Sequence, residues 1–261
     1  MNIKSNQSKQ QTTMKKQNFM PHESWYKYYD YVNETAFGRA YDVFNEASLR
    51  TIQGIVPTGS TILDFGAGTG RLSLPLCDLG YNPVAIERCQ GMLNVLQQKM
   101  KAQGKDFPVY NSSIAEYQGD EKGDLALAVF TVLDYITEDE EMRASLANIS
   151  AHLKDGGYFL FDLAGAHFFN DFDEEQVEGI YRHTSIRKTS QPNVFLYSED
   201  CTGTMNGEDF KYSDSFNLRN WKSEELNAML NEVGLFDTDN ELAELNRFGS
   251  TYKLYRKSSA K

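Results

Sequence analysis

Two carboxylates and three glycines stand in an order that could hold a small charged ligand. Asp64 precedes Gly66, Gly68 and Gly70 in the stretch ILDFGAGTGR, and Glu87 closes the run NPVAIE seventeen residues after Gly70. Glycines let a ligand approach the backbone, and a helix that follows offers free N–H groups. A nucleoside triphosphate wants a Lys and a hydroxyl directly after its last glycine, but Arg71 and Leu72 follow Gly70. A dinucleotide wants G-x-G-x-x-G, and here the third glycine arrives one residue early. A sulfonium nucleoside needs neither pattern. An acid at the mouth of the first strand, Asp64, suits its ammonium and its positive sulfur. A carboxylate ending the second strand, Glu87, can accept both protons of a ribose diol. Glu87 would serve the ribose of NAD equally well, so that residue alone does not separate the two cofactors.

The elements that must position these groups follow from the chain around them. TILDFGAG reads as a buried parallel strand ending in glycines. RLSLPLCDLGY is a helix with Pro75 near its first turn and Gly80 at its close. NPVAIE, FPVYNSSI, DLALAVFTV and GGYFLFDL supply four further strands, separated by the helical patterns QGMLNVLQQKMKAQ and EDEEMRASLANISAHL. This alternation predicts an α/β sheet with helices on both faces. After Gly165, segments 180–189, 194–204 and 208–218 predict three antiparallel strands, with Asn206-Gly207 as a hairpin turn. KSEELNAMLNEVGL predicts an amphipathic helix capped by Ser223, and GSTYKLYRK a final strand.

The run ILDFGAGTGRLSLPLCDLGYNPVAIERCQGML resembles the glycine motif and the following acidic loop of class I S-adenosylmethionine-dependent methyltransferases. The resemblance extends over roughly residues 25 to 257 and is most specific from 62 to 162. It implies a Rossmann-like sheet and S-adenosyl-L-methionine as cofactor, with Asp64, Gly66, Ala67, Gly68 and Gly70 forming the loop. Glu87 and Arg88 then follow at the end of strand two, and Met92, of the pair Met92-Leu93, packs on adenine; ordinary helix core is an equal reading of Met92. The family's acid after strand three has no match in YNSSIAEY, which leaves Ser112 or Ser113 at the adenine edge and Ile114 over the ring. Phe130 and Thr131 match the backbone that runs past the methionine end, and Asp134 and Tyr135 follow on the loop facing the acceptor.

Within that resemblance, WYKYYDYV is similar to the aromatic segment that lids the cofactor in small-molecule methyltransferases, with Tyr28, Tyr29, Phe37 and Arg39 as lid residues. The antiparallel insert resembles the sheet that glycine-type and amino-sugar N-methyltransferases place over the acceptor or use to pair subunits. A homodimer through the insert is the corresponding expectation. Residues 1–20, rich in Gln, Lys, Asn and Ser, read as a disordered tail. Residues 21–257 read as one methyltransferase domain: a helical lid (21–54), a cofactor-binding core (55–165), the insert (166–218), and a C-terminal helix with strands (219–257).

Methyl transfer is an in-line displacement in which positioning supplies most of the catalysis, and a general base is optional. Tyr135, Asp134 and His167 are the catalytic candidates, and Arg39 a candidate for the methionine carboxylate. A solvated Arg39 and a bystander His167 are the plainer readings of those two. The loop FTVLDY lacks the [DNS]-P-P-[YFW] box of amino-methylating DNA enzymes and the Pro-Cys of cytosine-5 enzymes. With a formal charge of −11, this argues against a nucleic-acid partner. Three widely spaced cysteines suit reduced thiols in a cytoplasmic protein, and no His or Cys cluster suggests a metal. No run is long enough to span a bilayer, and no signal-type apolar segment stands near Met1. The expected function is methylation of a small-molecule amine or hydroxyl. An NAD-dependent oxidoreductase and a catalytically silent cofactor-binding protein are the alternatives.

Overall fold

The computed structural model describes residues 20–170, 172–176 and 179–259. Apart from Met20, the tail expected over 1–20 lies outside them. Two helices open the described chain, α1 (Tyr29–Phe37) and α2 (Arg39–Ile55). They are followed by β1 (Thr61–Phe65), α3 (Ser73–Asp78), β2 (Asn82–Glu87), α4 (Gln90–Ala102) and β3 (Val109–Asn111). Next come β4 (Gly123–Ala128), α5 (Asp139–His152) and β5 (Leu153–Ala164). The second half holds β6 (Phe172–Gln176), β7 (Ile180–Lys188), β8 (Val194–Met205) and β9 (Glu208–Arg219). It closes with α6 (Ser223–Glu232), β10 (Leu235–Asp237), α7 (Ala243–Asn246) and β11 (Ser250–Lys257).

Seven strands form one sheet in the order β10-β11-β5-β4-β1-β2-β3. β1 to β5 are mutually parallel, and β11 runs antiparallel against β5 and β10. The period-2 alternation of buried strands sorts their side chains onto two covered faces. Leu63, Phe65, Ala126 and Phe159 meet α5 and α6 on one face. Ile62, Leu125, Leu127 and Leu160 meet Phe44 and Ile52 of α2 and Leu245 of α7 on the other. The α/β expectation therefore holds, with helices on both faces. The strand order reverses at β1, whose neighbours are β2 and β4, and open α/β sheets bind ligands at the carboxyl ends of such a reversal.

The insert is a separate antiparallel sheet in the order β6-β7-β8-β9. It holds four strands where the sequence predicts three, because FDEEQ lacks the apolar or β-branched run that announces a strand. The hairpin at Asn206-Gly207 forms as expected, with φ of 55° and 82°. β9 alternates cleanly, burying Phe210, Tyr212, Asp214, Phe216 and Leu218 on one face. The aromatic segment at the N-terminus packs there: Trp25 stacks on Tyr212 with centroids 4.7 Å apart, and Tyr28 on Phe210 at 4.5 Å. Ser223 is the first helical residue of α6 and makes no capping bond; Lys222 takes the N-cap position, so the expected cap is absent.

Candidate active site

The loop after β1 turns on glycines held at positive φ. Gly66 has φ of 75°, and a Cβ there would stand 2.6 Å from Val132 Cγ2. Gly70 has φ of 90°, and its Cβ would meet Leu96 Cδ1 at 2.4 Å. The first glycine thus lets the backbone pass under the loop after β4, and the last lets the loop settle on α4. Gly70 also donates its N–H to the Ala67 carbonyl at 2.9 Å. It shapes the loop without lining the cavity beside it.

That cavity opens at the carboxyl ends of β1, β2 and β4. Asp64, Gly66, Ala67, Gly68, Glu87 and Arg88 line one wall. Met92, Ser113, Ile114, Phe130 and Tyr135 complete the set that sequence reasoning places there. Glu87 is oriented by its own surroundings: one carboxylate oxygen accepts the Gly68 N–H at 3.0 Å and the other the Cys89 N–H at 2.7 Å. Each oxygen keeps a further lone pair. Burial raises the Glu87 carboxyl above its ordinary value, opposed by those two N–H groups. Asp64 is buried, accepts the Ser73 hydroxyl at 2.5 Å, and is pushed up to about 6 by burial.

The loop after β4 is held in an uncommon shape. Phe130 and Thr131 have φ of 81° and 61°, in the left-handed region. Their N–H groups donate to the same oxygen of Asp162 at 2.7 and 2.9 Å. Asp162, on β5, is fully buried. It therefore fixes the backbone that borders the cavity, a function no local motif announces.

Besides Gly70, three of the expected residues do not line the cavity. Asp134 and Tyr135 are neighbours on a short 3-10 turn, and their side chains diverge. Tyr135 lines the cavity, whereas Asp134 is buried away from it and accepts the Ala164 N–H at 2.8 Å. Burial raises its carboxyl well above the usual range. As a structural tether of the turn to β5, Asp134 is displaced from the acceptor-facing position expected of it. His167 is exposed, packed beside Gly165 and Gly249, outside the cavity wall. Arg39 is exposed at the start of α2 and does not line the cavity either.

A different arginine does. Arg71 sits 4.9 Å from the Phe44 ring centroid and 5.2 Å from that of Phe130, and donates to Asn45 Oδ1 at 2.9 Å. Its place directly after the last glycine is the signal that could have found it. His22 and Tyr29 roof the cavity together with Pro21. Tyr29 belongs to the aromatic segment singled out in the sequence; His22 lies 113 residues from its partner Tyr135 and carries no local signal. The roof is tied to the glycine loop through Asp30, which accepts the Thr69 hydroxyl at 2.6 Å and pairs with Lys99 at 2.6 Å.

These groups fit S-adenosylmethionine: an oriented carboxylate with spare lone pairs, a buried acid, a cation set between aromatic rings, and a loop without side chains. Residues 62–157 match a family model described as a methyltransferase domain. A protein of Geobacillus sp. (strain WCH70), named as a methyltransferase, is 27% identical over 203 residues, 74% of this chain and 78% of that one. An S-adenosylmethionine-dependent methyltransferase from Clostridium acetobutylicum ATCC 824 superposes with a TM-score of 0.76 at 18% identity, covering 89% of this chain and 98% of that one. An amino pentose methyltransferase from Micromonospora echinaspora, solved with S-adenosylmethionine, gives 0.67 at 21% identity, covering 87% and 97%. Sheet order, glycine loop and the match of residues 62–157 to a methyltransferase domain together support a class I S-adenosylmethionine-dependent methyltransferase. The NAD-dependent alternative is thereby set aside.

Proposed function

We propose that the protein methylates the amine nitrogen of a small molecule of the amino-sugar type. The observation that carries this reading is the roof: the N-terminal segment, through Pro21, His22 and Tyr29, closes over the Tyr135 end of the cavity with the insert packed behind it, leaving room for a compact acceptor rather than a polymer. The amino pentose methyltransferase among the structural neighbours supports it.

In this reading Glu87 holds the ribose diol and Asp64 the methionine ammonium. Arg71, in place of Arg39, holds the methionine carboxylate. Met92, Ile114 and Arg88 border the adenine, with Ser113 at its edge. The backbone of Phe130, fixed by Asp162, runs past the methionine end, and Gly66, Ala67 and Gly68 let the ligand approach the main chain, while Gly70 shapes the loop behind them. Bound S-adenosylmethionine supplies an electrophilic methyl group on a positive sulfur. The chain supplies alignment and the exclusion of water by Tyr29 and Pro21, which is where most of the rate enhancement for an in-line displacement originates. Asp214 and Glu199 act on Tyr135 from outside the cavity, with Glu199 paired to Arg182 at 2.8 Å and Arg88 opposing them from the cavity wall. Cys77, Cys89 and Cys201 are all free thiols, in keeping with a cytoplasmic setting.

The test is transfer of isotopically labelled methyl from S-adenosylmethionine to a panel of amino pentoses and amino hexoses, with their hydroxyl-only counterparts alongside. Label on nitrogen is the expected result. Label only on hydroxyl acceptors contradicts the reading.

A further inference from the structure

The residues just before α1 bring to the cavity a histidine that no motif places there. His22 has φ of 70°, a left-handed conformation that a non-glycine residue adopts only when its surroundings hold it. Two anchors hold it. Its backbone N–H donates to Asp214 Oδ2 at 2.8 Å, and the Trp25 indole N–H donates to the same oxygen at 2.8 Å. The edges of Trp25, Tyr29, Tyr135 and Phe216 surround the ring, with centroids 5.3 to 5.6 Å away. The ring's Nε2 lies 3.1 Å from the Tyr135 hydroxyl. Its Nδ1 is buried without a hydrogen-bond partner, 3.9 Å from Asp214 Oδ2.

The tautomer follows from these neighbours. A carboxylate 3.9 Å from Nδ1 favours the proton on that nitrogen. Nε2 then carries the lone pair and accepts the hydroxyl proton of Tyr135. The groups acting on the ring are the carboxylates of Asp214 and Glu199 and the guanidinium of Arg88. The Tyr29 and Tyr135 rings pack against it. Burial outweighs the carboxylates and lowers His22 to about 4, so the ring is neutral near pH 7. A Tyr135 hydroxyl whose proton is committed to Nε2 offers the cavity only lone pairs.

Resting on the methyltransferase reading above, we infer that Tyr135 receives an N–H of the acceptor amine, and that His22, held by Asp214, is the positioning residue that makes the Tyr135 oxygen an acceptor only. The pair selects an acceptor nitrogen that still bears hydrogen, a primary or secondary amine, and turns its lone pair towards the methyl carbon. Tertiary amines have no proton to offer when neutral, and carboxylate oxygens meet lone pairs with lone pairs.

Sinefungin, which carries an amine where the sulfonium bears its methyl, probes this point without turnover. Its affinity relative to S-adenosylhomocysteine is measured by calorimetry for the wild type, Tyr135→Phe, His22→Phe and His22→Gln. The wild type is expected to prefer sinefungin. Each Phe variant is expected to lose about tenfold of that preference, the low end for a charge-assisted hydrogen bond, while its S-adenosylhomocysteine affinity stays within about threefold. His22→Gln is expected to keep the preference, because its amide oxygen can take the Tyr135 proton. No preference in the wild type, an unchanged ratio in either Phe variant, or an equal loss of both ligands in the variants overturns the inference and leaves the cofactor reading intact. A wild type that binds neither ligand overturns both.

Discussion

Asp64 is a carboxylate that burial makes reluctant to ionise, and a cation beside it reverses that reluctance. Its carboxyl is raised to about 6, chiefly by desolvation and against the Ser73 hydrogen bond. The raised value has a definite sign. In the ligand-free protein Asp64 contributes stability that is fully present below its unfolded value and is lost as pH rises through about 6. A bound ammonium or sulfonium stabilises the ionised form, so ligand affinity should be level above about 6 and fall as pH drops below it, by up to tenfold per unit. Titration of S-adenosylhomocysteine between pH 5 and pH 8, read as about a tenfold loss at the acid end, checks this. Asp64→Asn should flatten that part of the profile, and a profile equally steep in the variant contradicts the assignment. At this scale the sequence reveals what lies within one turn of chain. Asp64, Gly68 and Glu87 were legible because spacing alone brings them to adjacent strand ends. His22, Asp162 and Asp214 were not, because their partners lie 113, 32 and 192 residues away. Asp134 and Tyr135 show the finer limit: adjacency in sequence says nothing about which of two side chains a tight turn aims into a cavity.

The glycine loop and the roof each depend on a contact between elements. Gly70→Ala forces a left-handed alanine whose Cβ meets Leu96 at 2.4 Å and Leu74 at 3.0 Å. Strain and overpacking together should cost about 2–4 kcal/mol, seen as a lower urea midpoint with an unchanged slope. An unchanged midpoint means that the loop does not rest on α4. The roof is held differently, through the two bonds of Asp30 to Thr69 and Lys99. Asp30 and Lys99 are each about one third exposed, so the ion-pair half of the latch is modest. Asp30→Ala should speed amide exchange across Tyr29–Phe37 about five- to tenfold while leaving the central strands protected. Equal exchange in both proteins removes the latch from the account. Elements with long apolar runs, such as β4 and β5, could be read from the chain directly. β6 is acidic, and β10 and α7 are three and four residues long; only pairing with neighbours makes them visible.

The cavity forms where the carboxyl edge of the seven-stranded sheet meets the aromatic segment before α2, which in turn packs on the inner face of β9. Trp25 stacks on the insert at Tyr212, His22 touches Tyr135 of the sheet's own loop, and Asp30 grips the glycine loop. A ligand bound there stabilises the sheet edge and the roof directly, and the insert through the roof packed on it. At a concentration one hundred times its dissociation constant, S-adenosylhomocysteine should add about 2.7 kcal/mol. For a chain of this size that corresponds to a rise of about 5–10 °C in Tm, measured by scanning calorimetry. A rise confined to local exchange, with no shift in Tm, contradicts a site shared by the whole fold. No helix among the described residues is long and apolar enough to cross a membrane.

The central claim is that the Asp64 loop and Glu87 hold a sulfonium nucleoside. Titration calorimetry of S-adenosylhomocysteine into the wild type and Glu87→Ala, with NADH as the competing ligand, tests it most directly. The wild type should bind S-adenosylhomocysteine in the micromolar range and ignore NADH. Glu87→Ala should bind about 10–100-fold more weakly, as expected when a charged partner of a ribose diol is lost. Binding of NADH but not of S-adenosylhomocysteine, or equal affinity in Glu87→Ala, contradicts the account.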